Sequence, residues 1–335
     1  MNLLAFLVSV VRITMPYGSA ALGGTLSERG GVVNIALEGL MLMGAFAFVA
    51  ASWATAQALG PAGADTAVWL APLAGLVVAL AAGVMLASVH ALATVWLRAD
   101  NVVSGLAINI FALGATTFLL KRVFGSLSNS PRVNTFTHLR VFEPGSALEP
   151  LNQALHPLVL LTVLMFVAAH FLLGRTRFGL RLRAVGEHPH AADSLGVNVA
   201  WHRTAGVLLS GLCASVGGVW LASDQGLFSS GMTNGRGYIA LAAMIVGKWR
   251  PWGAAAACAV FGLAEATQNW LQVFRQGLLD VPPDQLSALA RFGAALPNQL
   301  IQATPFLLTI IIIAGFVGRS TPPAADGVPF EKERA

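Results

Sequence analysis

Two carboxylates stand where charge is expensive. Glu38 lies in the apolar run IALEGLMLMG and Glu265 in FGLAEATQNW. An ionised group at the centre of an apolar span costs about 2.5–3.5 kcal/mol on insertion scales, so each must face protein or a wet path. Both have amides at helical spacing. Asn34 precedes Glu38 by one turn, which predicts a shared face, and Gln268 and Asn269 follow Glu265 by one turn. Asn109 and His90 are further polar residues in apolar surroundings. Such a set could line a path for a solute with several hydrogen-bonding groups, or carry a proton. It could also join helices, at about 0.6 kcal/mol per contact. The spacing favours a pathway role for Asn34 with Glu38, with Asn109 and Glu265 as further candidates, and a satisfied structural imidazole for His90.

Motifs for covalent or nucleotide chemistry are missing. Gly247–Lys248 runs into Trp249, and position 242 is Ala, so there is no phosphate-binding loop. Gly235-Arg236-Gly237 with Ala240 imitates a dinucleotide fingerprint but precedes a short apolar run, not the helix of a βαβ unit. Neither HExxH nor GxSxG occurs. Cys213 and Cys258 both fall in apolar runs, which argues against a disulfide framework or metal site. The chain reads as non-enzymatic, with no cofactor of its own, so energy must come from a gradient or a partner.

The elements that would position these residues are membrane helices. Of 335 residues, 56% are hydrophobic and 10% charged, against roughly 25% charged in soluble domains. At about 20 residues per span, the pattern predicts an all-α, polytopic bundle of about nine spans. They fall at 3–26, 33–56, 71–97, 102–120, 157–173, 204–222, 238–247, 252–271 and 299–317. The N-terminus lacks the basic start and cleavage site of a secretory signal and reads as the first span. Residues 1–318 then form one transmembrane domain and 319–335 a tail. Two breaks interrupt the helical pattern: Gly23–Gly24 and Gly30–Gly31 around Ser27–Arg29, and the Gly-, Ser- and Asn-rich stretch 226–237 before a span of half the usual length. Irregular backbone at membrane depth is tolerated only inside protein or along a wet cavity, and broken helices are a transporter signal. Small residues also recur four apart, at Gly206, Ser210, Ala214, Gly218 and Ala222 and at Ala79, Gly83, Ala87 and Ala91. Close helix packing explains these stripes.

Orientation follows from the loop between Leu173 and Arg203, which carries Arg175, Arg177, Arg181, Arg183 and Arg203 against Glu187 and Asp193. Basic loops stay cytoplasmic. With that loop inside, alternation puts twelve Lys and Arg inside and seven outside, in line with the positive-inside bias. The net charge of +5 is spread over span ends, not in a nucleic-acid stripe. Within the loop, Pro189 suits a first helical turn and Gly196 a left-handed stop. Ala191, Ala192 and Leu195 are expected on one small apolar face of this knob, ready to dock another protein.

Four stretches carry a resemblance: LSERGGVVNIALEGLMLMGAFAF (26–48), NVVSGLAINIFALG (101–114), RAVGEHPHAADSLGVNV (183–199) and GRGYIALAAMIVGKWRPWGA (235–254). In this order they resemble the ribose/nucleoside-type permease subunits of bacterial ATP-binding-cassette importers, and the SERGGVVNIALEG wording is nearest the nucleoside members. The resemblance implies a compact multi-helical bundle in the plasma membrane, paired with a second permease, identical or paralogous. It makes 186–196 the coupling helix, with Gly186, Glu187, Pro189, Ala191, Ala192, Leu195 and Gly196 seated in the cleft of an ATPase subunit. ATP and Mg²⁺ would belong to that partner. An extracytoplasmic binding protein would deliver a nucleoside-like solute. The related sugar permeases carry an extra N-terminal span that this chain lacks, which puts its N-terminus outside and its C-terminus inside. The alternatives are a ribose-type sugar permease and a gradient-driven transporter with proton sites at Glu38 and Glu265.

Overall fold

The computed structural model describes residues 3–137, 141–279, 297–303, 307, 310, 311 and 320–332. The helices bounded within the described residues run α1 (Leu3–Glu28), α2 (Leu37–Leu59), α3 (Ala64–Ala91, continued by a π-turn at Leu92–Trp96), α4 (Asn101–Phe124), α5 (Leu151–Ala154) and α6 (Pro157–Arg175). Then come α7 (Arg177–Glu187), α8 (Pro189–Ser194), α9 (Val199–Gln225), α10 (Arg236–Val246) and α11 (Pro251–Leu279). Among the described residues there is no β-strand, only an isolated bridge between Asn129 and Ser229. The chain is an all-α polytopic protein.

Local chemistry fixes several boundaries. Asp100 caps α4 by accepting from Val103 N at 2.9 Å, and Gly125 ends it in a left-handed turn. Asn198 caps α9 in the same way through Trp201 N, and Gly226 closes it. Pro157 opens α6, with His156 Nδ1 accepting from Leu158 N.

Among the described residues six helices, α1, α2, α3, α4, α6 and α9, are long and apolar enough to cross a membrane. That is fewer than the nine spans expected, and the difference falls on the last three. The seventh expected span is α10, whose 11 residues rise about 16 Å, half of a hydrocarbon core about 30 Å thick. The eighth is α11, a 29-residue helix carrying Glu265 and its neighbouring amides. The ninth, 299–317, lies mainly outside the described residues.

The basic segments around Arg29, Arg98, 174–203 and Lys248–Arg250 gather with the tail at one end of the bundle. Arg29 Nε donates to Trp249 O at 2.7 Å, Arg98 pairs with Glu331, and Arg203 donates to Val328 O at 2.8 Å. This basic end thus joins the end of α1, the start of α4, α7 to the start of α9, the α10–α11 turn and the tail. At the opposite end, residues 128–133 bond to 226–230, and Arg12 bonds to Gln153 and Asp224.

At the centre is α9, packed on α1, α2 and α3. Its small-residue stripe is what permits that closeness. A Cβ on Gly218 would sit 1.8 Å from Met41 O, and one on Gly211 2.5 Å from the Ala87 methyl. The stripe at 79–91 meets the same helix: a Cβ on Gly83 would collide with the Ser215 side chain. Lipid offers no hydrophobic drive for helix association, so close packing of backbones has to supply it.

Candidate functional site

The knob at the basic end is built as a helical pair. Thr176 caps α7, accepting from Gly179 N at 3.0 Å. Gly179, Leu182, Val185 and Gly186 of α7 are buried, while Arg177 and Arg181 face out. Pro189 begins α8, and Gly196, at φ +78°, provides the left-handed stop that its position predicts. The expected shared face is corrected here. Ala192 is 4% exposed and packs inside this chain with Val185 and Val199, whereas Leu195 is 84% exposed and Ala191 also lies on the surface. A helix this short turns Ala192 inward to close its own small core, so of the three only Ala191 and Leu195 stay on the surface. Gly186 is buried as well, whereas Glu187 stays on the surface. A Cβ on Gly186 would lie 2.3 Å from Arg29 O, so glycine lets the knob rest directly on the break after α1.

The tail ties this assembly together. Ala325 N donates to Gly186 O at 2.9 Å, Ala324 N to Glu187 Oε2 at 3.2 Å, and Gly327 N to Gly31 O at 3.2 Å. Asn101 Nδ2 donates to Gly327 O, and Phe330 packs beside His190 and the Val185–Ala192–Val199 cluster. One strand of irregular chain therefore bridges the break, the knob, α4 and α9. No sequence pattern flagged it, because a polar Pro- and Ala-rich tail reads as solvated.

Burial, and next the neighbouring Glu28, push the Asp326 carboxyl up to about 8, with Arg203 acting the other way. A released tail would return Asp326 to the ordinary range near 4. The docked tail thus holds its proton more tightly, and docking weakens as pH rises from about 4 to about 8. Proteolysis within 323–328 should accordingly be faster near pH 8 than near pH 5.5, and Asp326→Asn should flatten the difference. Better protection at the higher pH would show the sign to be wrong.

The second site surrounds the start of α10. Residues 226–235 descend from the far end into the bundle, and α10 begins there at a left-handed Gly235. Both oxygens of Glu38 accept from this helix start, Oε1 from Gly235 N at 2.7 Å and Oε2 from Gly237 N at 2.6 Å. A carboxylate on a helix N-terminus satisfies orphan N–H groups and the helix dipole together. Asn109 holds the other side. Its Oδ1 accepts from Gly39 N at 2.8 Å, and its Nδ2 donates to Ile35 O at 2.9 Å and to the Tyr238 hydroxyl at 3.0 Å. Glu38, Asn109, Thr233, Asn234 and Tyr238, with Leu106, Ile110 and Leu113, line a cavity of about 300 Å³.

Asn34 is elsewhere, and the shared face with Glu38 is a second correction. The α2 helix begins only at Leu37, so Asn34 sits in the non-helical stretch before it. It is fully buried, donates to Ser210 Oγ at 2.7 Å and accepts from Ala36 N at 3.0 Å. Glu265 is also apart from the cavity, bonded to Arg236 at 2.7 Å and to the Tyr17 hydroxyl. His90 is satisfied, with Nδ1 at 2.9 Å from Ser104 Oγ and Nε2 at 3.2 Å from Val33 O.

With this geometry in hand, comparison with known proteins is informative. Residues 6–314 match the family described as the branched-chain amino acid transport system / permease component. The chain belongs to that family. The guanosine ABC transporter permease protein NupQ of Bacillus subtilis is 38% identical over 99% of both chains. The nucleoside ABC transporter permease protein NupC of Lactococcus lactis subsp. cremoris is 36% identical, again over 99% of each. The putative glucose ABC transporter permease protein TsgC13 of Haloferax volcanii is 31% identical over 90% of this chain and 88% of its own. No solved structure matches.

Within this permease, Thr233, Asn234, Arg236 and Tyr238 escaped the sequence reading. Arg236 lies in the Gly-, Ser- and Asn-rich stretch 226–237, where spacing alone marks no partner for it. A lone arginine entering a membrane break needs an acid nearby, and Glu265 was the unpaired acid available.

Proposed function

We propose that this chain is a transmembrane permease subunit of an ATP-binding-cassette importer that carries a nucleoside-like solute. The observation that carries the reading is the end-to-end likeness to two nucleoside permeases, which covers 99% of each chain. The cavity chemistry supports it. A half-helix N-terminus in mid-bundle attracts anions, but here Glu38 already occupies it. An uncharged solute with hydrogen-bonding edges and an aromatic face suits what is left: Asn109, Asn234, Thr233 and the ring of Tyr238.

The basic end is cytoplasmic. Its arginines would otherwise have to cross the bilayer. The N-terminus is then outside and the tail inside. ATPase subunits, which hold ATP and Mg²⁺, close against the exposed Leu195 of each knob. A second permease, identical or paralogous, covers the apolar outer face of α4, where Val102, Val103, Ile110 and Phe111 are exposed. An extracytoplasmic binding protein delivers the solute to the opposite end. The chain itself performs no covalent chemistry.

Sidedness is open to a direct check. Ser146 and Ser194 are both exposed, at opposite ends. A cysteine at Ser146 should react with an impermeant maleimide on sealed cells, and one at Ser194 only after lysis. Labelling of Ser194 from outside would invert the arrangement.

Uptake of radiolabelled guanosine by cells carrying the transporter tests the solute. Unlabelled nucleosides should compete and glucose or ribose should not. Competition by the sugars with no effect of nucleosides would establish the sugar reading instead.

A further inference from the structure

A groove at the basic end is lined by cations with nothing of opposite charge along its wall. Arg29, Arg183 and Arg250 meet there with His170, Trp249 and Trp252 around a cavity of about 590 Å³. None of the lining residues is a carboxylate. Among the described residues none of these three arginines forms an ion pair, and Arg183 Nε is buried without a hydrogen-bond partner. Arg29 feels the crowding. Burial lowers its proton affinity, Glu187 opposes this from outside the groove, and Arg183 and Arg250 lower it further.

Four features suit this groove to the membrane surface. Its walls are the last turn of α6 and the first turn of α11, with α7 beneath. Trp252 is 49% exposed, at the level where indoles anchor to headgroups. Phe171, also exposed, stands on α6 beside His170, with the Arg175 guanidinium 5.7 Å from its ring. Apolar side chains continue along α6 away from this end, where Leu160, Val163 and Leu164 are exposed.

We propose that the groove between α6, α7 and the start of α11 binds the phosphate of an anionic phospholipid from the adjoining leaflet. Arg183 and Arg250 would bracket the phosphodiester while the acyl chains lie along α6 and Trp252. Basic pockets between helices at a cytoplasmic surface bind such headgroups. The assignment rests on the chain crossing a membrane and is independent of which solute is carried.

Native mass spectrometry of the full importer complex, purified with added phosphatidylglycerol or phosphatidylcholine, tests it. The wild-type complex should retain phosphatidylglycerol on the permease and shed phosphatidylcholine. R183Q/R250Q should weaken phosphatidylglycerol retention about thirtyfold, from a factor of about five for each basic residue at a membrane surface. R183K/R250K should keep most of it, since point charges suffice there. Equal retention of both lipids, or unchanged retention in R183Q/R250Q, would overturn the proposal. Loss in the lysine pair as large as in the glutamine pair would also overturn it, because the arginines would then be shaping the groove instead of supplying charge. Displacement of the lipid by millimolar inorganic phosphate would assign the groove to free phosphate. Loss of ATPase association with lipid retention intact would assign the arginines to the protein interface.

Discussion

Leu195→Glu should leave the permease inserted and folded but unable to hold its ATPase. Leu195 projects from the end of α8 at 84% exposure, and its neighbours Ala192 and Val199 are already committed to the chain's own core. The substitution costs nothing inside the subunit. At a packed interface, an unpaired charge loses several kcal/mol of solvation. At about 1.4 kcal/mol per decade, association should fall more than a hundredfold. Co-purification of tagged permease with ATPase measures this directly. Ala192→Glu makes an informative contrast, because its charge would enter the Val185–Val199 cluster and disorder the knob itself, which proteolysis at 186–196 would detect. If Leu195→Glu keeps normal association and stimulated hydrolysis, the knob is not the coupling element.

Glu38→Ala should reduce uptake to about 1% or less while the six long helices remain inserted. The carboxylate holds Gly235 N and Gly237 N at 2.7 and 2.6 Å, and those two bonds fix where α10 begins. Charge-assisted hydrogen bonds contribute about 1.5–3 kcal/mol each, and the donors left behind are half-buried, so the loss is about 4 kcal/mol. Such a loss frees the start of α10 and the cavity wall that Asn234 and Tyr238 form with it. Glu38→Gln keeps an acceptor for one N–H and should recover part of the activity. Uptake assays alongside hydrogen exchange on 233–240 separate the two variants. Normal transport by Glu38→Ala would move the pathway away from α10.

Much of this architecture was legible in the sequence, and the reasons differ from place to place. Basic residues cluster at span ends for a global reason, the cost of moving them through lipid, so the segments at 29, 98–100, 174–203 and 248–250 could be put together without knowing any contact. The stop at Gly196 and the half-length span at 238–247 are local backbone facts, and they survived intact. Faces were harder. Helical spacing put Asn34 and Glu38 together, but α2 starts at Leu37, because Asn34 spends its own amide on Ala36 N and Ser210 instead of a helix. The same spacing put Ala192 beside Leu195, yet a six-residue helix closes on Val185 and Val199, which periodicity within α8 cannot see. The Arg236–Glu265 pair and the bonds of the tail to Gly31 and Gly186 join residues 29 to 296 positions apart, and no local pattern records them.

The central claim is that ATP hydrolysis on a partner, transmitted through this subunit, moves the solute. Nucleoside uptake into proteoliposomes containing the permease, its ATPase and its binding protein tests it most directly, with and without ATP and with a protonophore present. Uptake should require ATP, fail with a hydrolysis-dead ATPase, and continue when the proton gradient is collapsed. Uptake that persists with the dead ATPase and stops with the protonophore would contradict the account and turn Glu38 and Glu265 into candidate proton carriers.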